Sequence, residues 1–261
     1  MAHREGSFKG LKDCNIYYQR WLPDGAPRAI LLVAHGFGEH SGRYQNLVDY
    51  FQPLDYAIYA LDHRGHGKSD GARVEVDDYA DYVTDLKAFC DLVRKENAHE
   101  DIFLVGHSMG ASIATAYAAQ YQDELAGLIL SGGGIATGKA PPRPAGLDLA
   151  DTLSRDPAVV EAYRNDPLVY HGALPTGRDS AMAQMSERLP ELAKMIRLPI
   201  LVLAGAASPL GDGPRSEALF ETVSSSDKTL KLYPGLLHEI FNEPEWPDVM
   251  HDMSAWLEKR I

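Results

Sequence analysis

Cysteine is scarce in this chain: its 261 residues include two, Cys14 and Cys90. Two such residues make no disulfide framework, and neither stands in a metal-ligand spacing. Basic residues are in the minority, 25 against 37 acidic ones, which leaves a formal charge of −12. A field of that sign repels phosphate backbones and anionic lipid surfaces, so nucleic acid is not an expected partner. No apolar run approaches the roughly 20 residues that span a bilayer. The opening residues, MAHREGSFKG, lack the apolar core of a signal peptide, which makes the cytoplasm the expected location. Internal repeats are missing too. What is present is 45% hydrophobic residues, enough for one sizeable core and too few for two ordinary domains.

Short apolar runs alternate with helical stretches. AILLVAHG (29–36), YAIYALD (56–62), DIFLVGHS (101–108), LAGLILSG (125–132) and LPILVLAG (198–205) are rich in Ile, Leu and Val. They show little period-two alternation, which suits strands buried on both faces. Between them, GRYQNLVDYF, YADYVTDLKAFCDLVRKE and ASIATAYAAQY carry apolar residues at helical spacing. The alternation predicts an α/β chain with a mostly parallel central sheet flanked by helices. CNIYYQRW (14–21) alternates better and reads as an outer antiparallel strand. TLKLYPG supplies a final strand, and DVMHDMSAWLEKR a closing helix.

One segment breaks this rhythm. From 133 to 197 a Pro-rich linker (TGKAPPRPAG) leads into helix-like pieces, DPAVVEAYRND and SAMAQMSERLPELAKMI. Its place before the strand at 199–204 makes it an insertion, with 1–132 and 198–261 forming the core. In an α/β sheet such an insertion sits over the carboxyl ends of the strands, where ligands bind. A short helical cap (lid) is therefore expected.

The strongest chemical signal is VGHSMGAS. Gly106-His107-Ser108-Met109-Gly110 matches G-x-S-x-G between a strand pattern and a helix pattern, the context of a nucleophile elbow. Ser108 is the expected nucleophile. HGFGEH (35–40) is the second signal. A loop after an early strand supplies one oxyanion N–H, and the residue after the nucleophile supplies the other, so Phe37 and Met109 are the expected donors. His35 reads as a structural histidine of that loop and His40 as a surface residue. The base follows the final strand in such chains, and His238 in Leu237-His238-Glu239 alone has that position. His63 and His66 in LDHRGHGKS have the look of a metal pair, but no carboxylate or cysteine cluster accompanies them. They fit better in a Gly-rich loop, and no metal is expected.

Taken in order, HGFGEHSGRY, LDHRGHGKS, GHSMG, DPLVYHG and YPGLLHEIFNEP resemble the monoacylglycerol lipases and lysophospholipase-like α/β-hydrolases across nearly the whole chain. The resemblance implies the α/β-hydrolase fold, hydrolysis of a monoacylglycerol or similar single-chain ester, and no dissociable cofactor. It also implies head-group contacts at Glu39, Arg43 and Tyr163, with a structural ion pair as the alternative for Glu39 and Arg43. Three departures stand out. Phe241 occupies a place that is often polar. The cap is short and polar, which favours soluble or short-chain esters; Leu147, Leu149 and Leu153 either form a small apolar patch for peripheral membrane contact or pack inward. Finally, GAASPLGD (205–212) puts Ser208 where the family carries the triad acid.

That last departure leaves three readings. Asp212 in a Gly-flanked loop is the acid, the triad lacks an acid, or a distant carboxylate serves. The leading function is a serine carboxylic ester hydrolase acting on a small-molecule acyl ester through an acyl-enzyme on Ser108. Alternatives are an acid-deficient acyl-chain binder and an acyltransferase to alcohol acceptors.

Overall fold

The computed structural model describes residues 2–97, 101–137, 148–172 and 180–261. Among them eight strands make one sheet, in the order β1-β2-β4-β3-β5-β6-β7-β8. Its centre is built from β3 (Ile30–Ala34), β4 (Ala57–Leu61), β5 (Ile102–His107), β6 (Gly127–Ser131) and β7 (Ile200–Gly205). Every residue of these five strands is buried. Burial on both faces is why their sequences run apolar without alternating. β3 through β8 (Lys228–Tyr233) pair in parallel, whereas β2 (Asn15–Leu22) runs antiparallel to β4.

The outer position expected for CNIYYQRW belongs instead to β1 (Ala2–Lys9), which pairs antiparallel with β2 along its full length. AHREGSFK carries few apolar side chains because an edge strand buries little, and so it gives no hydrophobic pattern to read.

Two helical layers cover the sheet. On one face Leu32, Leu104, Leu130 and Val202 pack with side chains of α2 (Ala80–Glu96), α3 (Met109–Tyr121) and α6 (Asp212–Thr222). On the other, Leu31, Phe103, Ile129 and Leu203 meet α1 (Gln45–Phe51) and α7 (Trp246–Leu257). Each fully buried Leu or Phe contributes about 1.5–3 kcal/mol relative to exposure. A buried ion pair ties α2 to the sheet's edge loops: Arg64 grips Asp85 with Nε at 2.6 Å and Nη2 at 2.8 Å, and Asp85 also accepts the Leu11 N–H.

Within the expected insertion the described residues divide. Ala150, Leu153, Val160, Tyr163 and Val169 make a small cluster of their own around α4 (Pro157–Asn165). Asp156 caps that helix through the Ala158 N–H, with Pro157 at its first position. By contrast α5 (Ala181–Ala193) buries Ala181, Met185, Leu189 and Ala193 in the same cluster as α3. The linker at 138–146 and Leu147 lie outside the described residues.

Polar ties hold the α4 segment down. His40 Nε2 lies 2.8 Å from Asp166 Oδ2, and Tyr170 N–H donates to Gly38 O at 2.7 Å. His40 is therefore buried rather than a surface residue. No helix among the described residues is long and apolar enough to cross a membrane.

Candidate active site

β5 ends at His107 and α3 begins at Met109, so Ser108 alone turns the chain. Its backbone sits at φ 52°, ψ −114°, a conformation that costs a side-chain-bearing residue roughly 1–3 kcal/mol. The flanking glycines are what make the turn possible. A Cβ on Gly106 would stand 2.5 Å from Gly110 O, and one on Gly110 would stand 2.0 Å from Ala34 O. The turn lifts Ser108 to the wall of a cavity of about 440 Å³ and points the positive end of α3 at it.

The loop after β3 is shaped by Glu39. Its Oε1 accepts the Gly36 N–H at 2.6 Å and the Tyr44 hydroxyl at 2.9 Å. This bend brings Phe37 to the same cavity as Ser108 and Met109. Neither the Phe37 N–H nor the Met109 N–H has an acceptor among the described residues. The Tyr79 hydroxyl anchors the start of α3 by donating to Met109 O at 3.0 Å.

His238 enters the cavity after β8, and its Nδ1 lies 2.6 Å from Asp212 Oδ2. Gly211 makes the approach possible by taking a left-handed turn (φ 76°) that starts α6 with Asp212. The carboxylate is fully buried in the first turn of a helix, where the dipole favours negative charge. Burial pushes the Asp212 carboxyl up, but His238, the Ser208 hydroxyl and Arg215 outweigh that and hold it below the usual range. Burial also opposes a charge on His238; Asp212 outweighs it and raises the imidazole above its ordinary value. Since Nδ1 is taken by Asp212, Nε2 is the ring nitrogen left for other contacts. Ser208, by contrast, uses its hydroxyl to accept the Leu210 N–H at 3.3 Å.

Burial pushes four further histidines, His35, His63, His66 and His107, below the ordinary imidazole value. Burial, then the neighbouring His238, pushes His107 down; its ring centroid lies 4.8 Å from that of the base. His35 uses both nitrogens in its loop, Nδ1 on Gly36 O at 2.7 Å and Nε2 accepting the His63 N–H at 2.9 Å. Burial drives it down to about 4. The His35 and His63 ring centroids lie 4.5 Å apart, and His63 and His66 both pack on the ring of Tyr82.

Glu39, Arg43 and Tyr163 come together, but not as three equal parts of a wall. Glu39 and Tyr163 line the cavity; the Arg43 guanidinium lies behind them. It donates to Glu239 at 2.5 Å, sits 3.3 Å from Glu39 and lies over the Tyr163 ring at 4.7 Å. Burial opposes its charge, yet Glu239 and Glu39 raise the guanidinium above its usual range. Glu239 was not anticipated from sequence as Arg43's partner, although its place beside His238 was a visible signal. Met182 and Arg215 also reach the cavity and carried no motif. Phe241 is buried and packs near His107.

Comparison with known proteins agrees with this arrangement. The family described as "Serine aminopeptidase, S33" matches residues 25–245. A monoacylglycerol lipase of Mycolicibacterium smegmatis is 38% identical over 97% of this chain and 96% of its own. A thermostable carboxyl esterase of Bacillus coagulans, solved with glycerol, superposes with a TM-score of 0.85 at 27% identity, covering 100% of this chain and 99% of the other. The monoacylglycerol lipase of Paleococcus ferrophilus gives 0.81 at 29% identity, over 94% of this chain and 99% of its own. With its elbow serine, buried histidine and parallel sheet, the chain belongs to the serine aminopeptidase S33 family, among the monoacylglycerol lipase-like α/β-hydrolases, and is a hydrolase.

Proposed function

We propose that the chain is a serine carboxylic ester hydrolase that cleaves single-chain acyl esters, a monoacylglycerol or a short-chain ester, with Ser108, His238 and Asp212 as its triad. Ser108 Oγ attacks the acyl carbonyl while His238 takes the hydroxyl proton, and the Phe37 and Met109 N–H groups hold the oxyanion. His238 then gives that proton to the departing alcohol, which leaves the acyl group on Ser108. Water, deprotonated by His238, attacks the acyl-enzyme, and the carboxylic acid departs as Ser108 regains its proton. The observation that carries this reading is the 2.6 Å contact between Asp212 and His238 at a fully buried carboxylate. Without such an acid the imidazolium lacks its counter-charge, which costs roughly 10⁴ in kcat in serine proteases.

The α4 segment, 148–172, serves as the cap in this reading. Leu149 lines the cavity and Leu153 is buried, so both turn inward, away from any peripheral membrane contact. That orientation supports small or short-chain esters taken from solution, and cytoplasmic action fits the same picture. The test is hydrolysis of p-nitrophenyl butyrate together with labelling by a fluorophosphonate. Turnover and stoichiometric labelling, both lost in Ser108→Ala, are expected. Binding of an acyl chain with neither would leave a non-catalytic binder instead.

A further inference from the structure

Arg215 is a cation on the cavity wall that the mechanism does not use. It stands in the first turn of α6, three residues after Asp212. Its guanidinium carries five N–H donors. Among the described residues these make one marginal contact, Nη2 to Gly134 O at 3.5 Å, and the buried Nε has no partner. No carboxylate of the described residues lies within ion-pair distance of it. Fold stability does not account for it either, because a cation at a helix N-terminus faces the positive end of the dipole. The carboxylates of Glu39 and Glu239, also on this wall, share the one cation of Arg43, and Asp212 is engaged with His238. Among the described residues Arg215 is thus a cation on the cavity wall with no carboxylate in contact.

We propose that Arg215 binds an oxyanionic group, carboxylate or phosphate, carried by the ester that Ser108 cleaves. The inference rests on the ester-hydrolase reading above and names its substrate class. Ser108 follows β5, and Arg215 packs beside Gly134, just past the neighbouring strand β6, on the wall of the same cavity. An ester at Ser108 and an anion at Arg215 can therefore belong to one small molecule. A chain with a formal charge of −12 repels anions at long range, so holding one requires a local, partly desolvated cation. A guanidinium offers paired donors that match the geometry of both oxyanions.

The experiment compares kcat/KM for charged substrates and their neutral counterparts in wild type, Arg215→Gln and Arg215→Lys. One pair places a carboxylate on the acyl side: p-nitrophenyl hemiglutarate against p-nitrophenyl pentanoate. The other places a phosphate on the alcohol side: 1-butyrylglycerol 3-phosphate against 1-butyrylglycerol. The charged-to-neutral ratio should fall about 10- to 100-fold in Arg215→Gln for at least one pair, which identifies the source of the anion. Arg215→Lys should retain part of it. An unchanged ratio for both pairs, with all rates lowered alike, would mean that Arg215 only steadies Asp212, and the proposal fails. If the wild type cleaves no ester at all, the functional reading fails first, and calorimetry with glutarate and glycerol 3-phosphate still reads the site. Saturable binding that Arg215→Gln abolishes then sustains the anion site, and no binding by wild type overturns it.

Discussion

Asp212 reaches the imidazole of His238 from the first turn of a helix, while Ser208, four residues earlier, turns its hydroxyl to the Leu210 N–H. The carboxylate thus arrives from a different rung of the chain than the family pattern suggests. Replacing Asp212 by Asn should lower kcat by roughly 10⁴. Ser208→Ala should stay within about tenfold of wild type, since it removes at most one hydrogen bond from the carboxylate. Initial rates on p-nitrophenyl butyrate separate the two, and comparable losses in both variants would sink the assignment.

The pH dependence follows from the same contact. His238 acts as a base only when neutral, and Asp212 raises it above its ordinary value near 6.5. The acid limb of kcat/KM is therefore expected above pH 6.5, with activity rising as the imidazole loses its proton. In Asp212→Asn only Glu239 and Glu39 still oppose burial, so the residual limb should move to lower pH. A limb that stays put would show that another group sets it.

Gly110→Ala tests the elbow. The added methyl would meet Ala34 O and His35 O, at 2.0 and 2.5 Å, and backbone does not yield as a flexible side chain does. A loss above about 3 kcal/mol is expected, among the largest for one substitution. For a chain of this size that is a fall in Tm of roughly 6–12 °C. A melting curve within two degrees of wild type would contradict the packing described.

Arg43→Met strips the cation from two buried carboxylates, Glu39 and Glu239. Breaking a buried pair on one side costs about 3–5 kcal/mol. Burial alone raises the pKa of Glu239, and Arg43 is what holds it below the usual range. With the cation gone, only His107, Asn242 and His238 oppose burial and the folded-state value moves up, so the loss caused by the substitution shrinks as pH falls. Denaturant titrations should show a larger loss at pH 7 than at pH 5; the reverse order would exclude this account.

Much of this could be read from the sequence, because the strongest signals are steric. Gly106 and Gly110 leave no alternative to a sharp turn at Ser108, and uniformly apolar strands announce a sheet covered on both faces. Other features left no such trace. β1 is exposed along most of its length, so pairing through its backbone makes no demand on side-chain pattern. Asp212 was one of three readings because Gly211's left-handed turn, which aims the carboxylate inward, belongs to the backbone and not to residue spacing. Arg215 carried no motif, since what distinguishes it is how few contacts its guanidinium makes among the described residues.

The backbone N–H groups of His238 and Glu239 are bonded to Thr152 O and Leu153 O, at 3.3 and 2.7 Å. The perch of the base and the roof of the cavity are accordingly two sides of one short ladder. A bulky molecule that levers the roof outward pulls on His238 and loosens it from Asp212. On the proposed triad, oversized substrates would then disarm the machinery they displace, and size selection would act through alignment of His238 as well as through the width of the opening.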